Sequence, residues 1–180
     1  MPTKDALRTQ ISTARRGLSD DAREQARAAI RRVVLDRCQQ LALPAGTWIA
    51  GYEPLRTEPG SVELLAELSA AGYQVIVPIT LADNDLDWRP WRGERSPLGP
   101  AAVGQAGLVL VPAFAVDPAG NRLGRGGGSY DRALARLAEG VPVAALLFAD
   151  ELVDEVPVAD WDRPVSAVVT PAGWRAVGAA

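Results

Sequence analysis

The chain is predicted to be an α/β protein, a three-layer sandwich whose mainly parallel central sheet is flanked by helices. Three observations predict it. Short apolar runs alternate with segments of helical periodicity along most of the 180 residues, which is the order of successive βαβ units. The run GLVLVP at 107–112 is apolar at nearly every position, as a strand buried on both faces must be. Most connections between runs are short, with no repeat and no low-complexity segment to mark a boundary. One domain over 1–180 is therefore expected, and a chain of this length buries about two-thirds of the surface it exposes when unfolded.

Each element has its own warrant. Residues 4–16 form a helix, with Leu7, Ile11, Ala14 and Leu18 spaced to share one face. Ser19 caps a second helix over about 20–41. TWIAGY (47–52) reads as a strand, SVELLAELSAAG (61–72) as a helix ended by Gly72, and YQVIVPI (73–79) as a strand. DWRPW (87–91) is a further extended piece, and the Pro- and Gly-rich stretch 93–107 a long loop. After GLVLVP comes the turn Asp117-Pro118-Ala119-Gly120. SYDRALARLAEG then reads as a helix, VPVAALLF (141–148) as a strand and SAVVT (166–170) as the last strand.

Composition removes several kinds of chemistry. There is no histidine, which excludes Ser-His or Cys-His nucleophilic pairs and a histidine-built zinc site. The single cysteine, Cys38, lies in a helical pattern and reads as a small core residue. A net charge of −3 argues against a nucleic-acid partner, which needs a broadly basic surface. The start MPTKDALRTQ has no apolar leader core, and no run approaches a membrane span. A cytoplasmic protein without a membrane partner is expected. Its chemistry must rest on carboxylates, Lys and Arg, backbone amides, a bound metal or the substrate.

The stretch VPAFAVDPAGNRLGRGGGSYDR (111–132) carries the most chemistry. The nucleoside-triphosphate motif G-x-x-x-x-G-K-[ST] and the dinucleotide motif G-x-G-x-x-G are both missing. Gly124 and Gly126 to Gly128 instead give a loop in which consecutive amides can face an anion. Ser129 is expected to cap the next helix, whose first amides favour phosphate. Arg122 and Arg125 add fork-shaped donors. Asp131, in that helix's first turn, either gains from the dipole or holds Mg²⁺ between itself and the phosphates. In an open α/β sheet this loop and the turn Tyr52 to Pro59 both follow strand carboxyl ends, so they meet in one crevice.

Lys4, Arg8 and Arg15 fall on one helical stripe and, taken alone, read as a solvated face whose stems cover apolar surface. Trp88 and Trp91 either stack on a flat ring or pack at the surface. Asp83, Asp85 and Asp87 lack the remaining ligands of a calcium loop and read as a solvated turn.

Together, Lys4-x-x-Leu7-Arg8, Glu58, VPAFAVD followed by GNRLGRGGGSYDR, and WDRPVSAVVT resemble the 5-formyltetrahydrofolate cyclo-ligases, also called methenyltetrahydrofolate synthetases, over nearly the whole chain. The resemblance implies an ATP- and Mg²⁺-dependent enzyme that converts 5-formyltetrahydrofolate to 5,10-methenyltetrahydrofolate, ADP and phosphate. It implies an ATP site at Lys4, Arg8, Arg122, Leu123, Gly124, Arg125, Gly126, Gly127, Gly128, Ser129 and Tyr130, with Lys4, Arg122 and Arg125 catalytic. Tyr52, Glu58, Arg125, Gly126 to Gly128 and Ser129 would meet the folate, and Asp131 and Asp162 the magnesium. A monomer acting on small molecules is implied. Three departures stand out: Ser129 replaces a common tyrosine, Trp161 a frequent histidine or asparagine, and 91–109 is short and lacks a Gly-x-x-Glu-Pro segment. They leave two alternatives, a nucleotide- or folate-binding homologue without turnover and an ATP-dependent enzyme for another small formyl or carboxylate compound.

Overall fold

A computed structural model describes residues 3–178; the two residues at either end of the expected 1–180 domain lie outside the described residues. Helix α1 (Lys4–Gly17) starts where the Thr3 hydroxyl accepts the Ala6 amide, and α2 (Asp20–Gln40) where Ser19 accepts that of Ala22. Helix α3 (Val62–Ala70) is capped by Ser61 in the same way. Each cap satisfies an amide that the first helical turn leaves without a partner.

The strands are β1 (Trp48–Ala50), β2 (Gln74–Thr80), β3 (Leu86–Pro90), β4 (Ala106–Pro112), β7 (Val143–Leu146), β8 (Ala167–Thr170) and β9 (Gly173–Ala176), joined in the order β3-β2-β1-β4-β7-β8-β9. The five central strands pair in parallel; β3 and β9 close the two edges antiparallel to β2 and β8. A separate hairpin, β5 (Ala115–Val116) with β6 (Arg122–Leu123), stands beyond the carboxyl end of β4. From β1 the chain winds outward to β2, and from β4 it winds the other way to β7 and β8. The reversal between β1 and β4 opens a crevice at their carboxyl ends.

Alternation along β4 explains both layers. Leu108 and Leu110 pack with Ile30, Val34 and Cys38 of α2 and with Leu64, Leu65 and Leu68 of α3. Val109 and Val111 pack on the other face with Val103, Ala133 and Leu134. Full burial of one such aliphatic side chain contributes about 1.5–3 kcal/mol. Cys38 is buried in the α2 layer, and burial pushes its thiol up to about 11. Helix α1 joins neither layer: Leu7 and Ile11 form a satellite core with Ala115, Leu123 and Val156 of the hairpin region. That placement carries the amino-terminal cations to the crevice.

Several expectations are corrected. The buried row of α1 is Leu7, Ile11 and Arg15, not Leu7, Ile11, Ala14 and Leu18; Ala14 is exposed and Leu18 caps the helix end. The loop 93–107 contains a 3-10 helix (Pro100–Gln105) that packs against β3 and against α4 (Ser129–Leu134). Helix α4 is only Ser129–Leu134. Its cap is Gly128, at φ 66°, so Ser129 sits inside the first turn rather than at the expected cap position. SAVVT is not the last strand, because β9 follows it. Trp88 belongs to the core, not to a ring-stacking surface, since β3 turns it inward. Asp85 is not simply solvated; both its oxygens accept from Arg136, just past the end of α4, at 2.8 and 2.5 Å.

The turn between β5 and β6 and the Asp85–Arg136 pair each make a check available. Gly120 has φ +86°, and a Cβ there would lie 2.4 Å from the Val165 carbonyl oxygen, whose own amide donates to Gly120. Backbone strain and a clash with backbone add, so Gly120→Ala is expected to cost about 2 kcal/mol or more in denaturant unfolding. The Arg136 hydrogen bonds hold the Asp85 carboxyl below the usual carboxylate range. A depressed carboxyl stabilises the fold above its unfolded value near 3.9 and loses that contribution as pH falls through the folded value. The stability gap between the protein and Asp85→Asn should therefore be constant above about pH 5 and shrink below about pH 4.

Candidate active site

Past β1, the chain crosses the crevice in a turn that closes on itself. The Glu58 amide donates to the Leu55 carbonyl, and the Leu55 amide donates to Glu58 Oε2 at 2.8 Å. Arg27 of α2 pins the same turn, donating to the backbone oxygens of Glu58 and Arg56. The Glu58 carboxylate is thereby buried with one oxygen left to face outward. Past β4, the β5–β6 hairpin lifts the chain and delivers it as the glycine loop. Arg8 fixes the start of that loop, donating from Nε to the Gly124 carbonyl at 2.8 Å.

The two segments meet. Arg125 Nη2 donates to Glu58 Oε1 at 3.0 Å across 67 residues of sequence. Arg122, almost fully buried, donates to Asp131 Oδ1 at 3.2 Å and lies over the Tyr130 ring at 5.6 Å. Lys4 Nζ donates to Asp162 Oδ2 at 2.8 Å, and the Ala159 amide donates to the same oxygen. Burial pushes the Asp162 carboxyl up, but the hydrogen bonds from Lys4 and Ala159 outweigh it and hold the group below its ordinary value. Burial raises the Tyr130 phenol, against the pull of Arg122.

These groups line one cleft of about 380 Å³. It gathers Lys4, Arg8, Glu58, Arg122, Leu123, Gly124, Arg125, Gly126, Gly127, Gly128, Ser129, Tyr130, Asp131 and Asp162. Leu123 is buried in the satellite core, so only its backbone is available to a ligand. Tyr52 does not line the cleft: it is 6% exposed, packed behind the Glu58 turn, and burial pushes its phenol well up. The other tryptophan of DWRPW, Trp91, also lies outside the lining.

Several lining residues carry no site assignment from the sequence, Arg15 and Trp161 among them. Arg15 sits at the cleft floor, only 4% exposed, with Nε and Nη2 donating to Glu151 and Nη2 also to the Ala113 carbonyl. Its place on the stripe with Lys4 and Arg8 was the available signal. Trp161 reaches the cleft from the turn before Asp162. Its position beside Asp162 in WDRPV was the available signal, but the direction of its ring depends on where that turn lands. Pro78, Thr80, Leu86 and Phe114 reach the lining from β2, β3 and the β4 exit, segments without a site signal.

As a donor set, the cleft offers lysine, three arginines and loop amides for phosphate, and two carboxylates for a hard cation. Asp131 Oδ1 also accepts the Arg163 amide; Asp131 Oδ2 and Asp162 Oδ1 have no hydrogen-bond partner among the described residues. No cluster of three or more His, Cys, Asp or Glu side chains forms among those residues. Two carboxylate oxygens fit Mg²⁺, which completes its shell with water and substrate phosphate. None of the described helices is long and apolar enough to cross a membrane.

Known proteins resemble this chain in sequence and in fold. Residues 1–171 match the model of the 5-formyltetrahydrofolate cyclo-ligase family. A 5-formyltetrahydrofolate cyclo-ligase of Mycolicibacterium smegmatis is 35% identical over 189 aligned positions, covering 94% of each chain. The structure of a 5,10-methenyltetrahydrofolate synthetase from Mycoplasma pneumoniae superposes with a TM-score of 0.81 at 24% identity, over 93% of this chain and 98% of that one. That of the Aquifex aeolicus 5,10-methenyltetrahydrofolate synthetase gives 0.75 at 22% identity, over 98% and 94%. These two likenesses show the fold.

Proposed function

Because the chain belongs to the 5-formyltetrahydrofolate cyclo-ligase family, we propose that it converts 5-formyltetrahydrofolate to 5,10-methenyltetrahydrofolate in an ATP- and Mg²⁺-dependent reaction that releases ADP and phosphate. The observation that carries the reading is the convergence, at the β1/β4 crevice, of Lys4, Arg8, Arg122 and Arg125 with a glycine loop and the buried Glu58.

The chemistry suits a chain without histidine. The N5-formyl oxygen attacks the γ-phosphorus of ATP and ADP leaves. The resulting N5-iminium phosphate is attacked at its formyl carbon by N10 of the same folate; N10 gives up its proton, the ring closes, and phosphate departs with the former formyl oxygen. The substrate provides both nucleophiles. The protein provides positioning, worth up to about 7–11 kcal/mol in favourable cases, and charge stabilisation of the moving phosphoryl group.

Lys4 and Arg8 hold the ATP phosphates, while Arg122 and Arg125 with the amides from Gly124 to Tyr130 cradle the triphosphate. Glu58 accepts N–H groups of the pterin, and Tyr52 shapes that pocket from behind. The Glu58–Arg125 pair, 3.0 Å apart, is exchanged on binding: the pterin takes the carboxylate and phosphate takes the guanidinium. Asp131 and Asp162 would hold Mg²⁺, which would neutralise phosphate charge there. The substrates are small molecules, and we place the reaction in a cytoplasmic monomer.

The test is the formation of the methenyl product by ultraviolet absorbance when purified protein meets 5-formyltetrahydrofolate and ATP, with and without Mg²⁺. Product only with all three supports the reading. Heat stabilisation by the ligands without ADP release would instead support the binding homologue, and ADP release only with another formyl or carboxylate compound the related enzyme.

A further inference from the structure

Trp161 has no structural use in the fold. It is 71% exposed, more than any other large apolar side chain among the described residues, and yet it lines the cleft. Its turn is not loose. The Asp162 amide donates to the Ala159 carbonyl at 3.0 Å, and the Ala159 amide returns to Asp162 Oδ2 at 2.9 Å. Lys4 ties this turn to α1, and the Arg163 amide ties it to Asp131 of α4 at 3.0 Å. An indole is thus held at the rim where Lys4, Asp131 and Asp162 come together.

An exposed aromatic face beside cations and carboxylates suits a flat ring that is itself joined to phosphates. The rim groups select phosphate and a hard cation, and the indole offers a π-face. A nucleotide has both parts in one molecule, whereas the pterin carries no phosphate. We propose that Trp161 is the base platform of the cleft, stacking on adenine while Lys4 and Arg8 take the phosphates; this rests on the ATP reading above. Stacking of a base on an aromatic side chain is substantial and needs no edge hydrogen bonds.

The experiment measures binding of Mg·ADP and of Mg·tripolyphosphate, which lacks a base, to the protein, Trp161→Ala and Trp161→Phe by calorimetry. Because the side chain is exposed, both variants should fold. Trp161→Ala is expected to weaken ADP about tenfold, Trp161→Phe to restore most of it, and tripolyphosphate to bind all three alike. ADP should quench the red-shifted tryptophan emission of the protein and leave that of Trp161→Phe unchanged. In turnover, Trp161→Ala should raise KM for ATP and not for 5-formyltetrahydrofolate.

Equal losses for ADP and tripolyphosphate would overturn the proposal, since Trp161 would then act through the geometry of Asp162. Unchanged ADP affinity in Trp161→Ala, no binding of ADP to the protein at all, or a rise confined to the folate KM would overturn it as well. A protein that binds ADP with the expected pattern but makes no methenyl product would keep the platform and overturn the reaction.

Discussion

Arg125→Ala is expected to lower turnover about a thousandfold, the scale on which an arginine that stabilises a transferring phosphoryl group acts, while the melting temperature moves by no more than about 2 °C. The two halves follow from one fact. The Arg125 side chain is 60% exposed, and its one polar partner among the described residues is Glu58 at 3.0 Å. Glu58 is buried, but its Oε1 faces the open cleft, where water can replace an exposed guanidinium, so the pair contributes little to stability. Glu58 keeps its Leu55 amide when the guanidinium is gone. Arg125→Lys should not rescue, because an ammonium cannot reproduce the planar fork that grips two phosphate oxygens at once. Steady-state kinetics with a thermal melt decides it; near-normal kcat in Arg125→Ala would remove the phosphate cradle from the mechanism.

Arg15→Ala should do the reverse and strike the fold. Its guanidinium lies between the Phe114 and Phe148 rings, at 5.3 and 5.9 Å, and holds both oxygens of the buried Glu151. Removing one member of such a pair leaves the other charge desolvated, at about 3–5 kcal/mol. For a chain of this size that is roughly 6–20 °C in Tm. After Arg15→Ala, Glu151 retains the Phe148 amide, at 2.8 Å, which is not enough to solvate a carboxylate. The double variant Arg15→Met/Glu151→Leu should be milder than Arg15→Ala, because it removes both charges. A single variant no worse than the double would show that the pair, once buried, carries no net strain when broken.

The contrast between Arg15 and Arg8 shows how far the sequence could be read. Arg8 and Arg15 both lie on the amino-terminal stripe, and helical spacing identifies that stripe correctly. Spacing cannot say which cation is buried. Arg15 is buried because Glu151, 136 residues later, arrives beneath it, and that meeting is a property of the tertiary fold. For the same reason Ala14 was expected inward and faces solvent. The sheet was legible because β4 and its neighbours are apolar on both faces, a local property. The edge strand β9, with half-buried and exposed residues, has no such pattern. Glycine spacing marked the loop, but capping chemistry pointed to Ser129 as the helix start, whereas a left-handed Gly128 takes that position. Tyr52 follows a strand that ends at the crevice, and is turned into the core by the tight packing of Gly60 against its ring. Glu58, by contrast, was singled out by the resemblance, and it lines the cleft.

The buried Cys38 gives the molecule an internal clock. Its thiol is 1% exposed and raised to about 11, so in the folded chain it is shielded from alkylating reagents twice over, by access and by protonation. Only a molecule that opens the layer between α2 and the sheet can be labelled. With one cysteine in the chain, the mass shift on alkylation counts opened molecules directly. Labelling rates for Arg15→Ala and Gly120→Ala beside the unaltered protein would then report their stabilities in native buffer, without denaturant and without reference to catalysis.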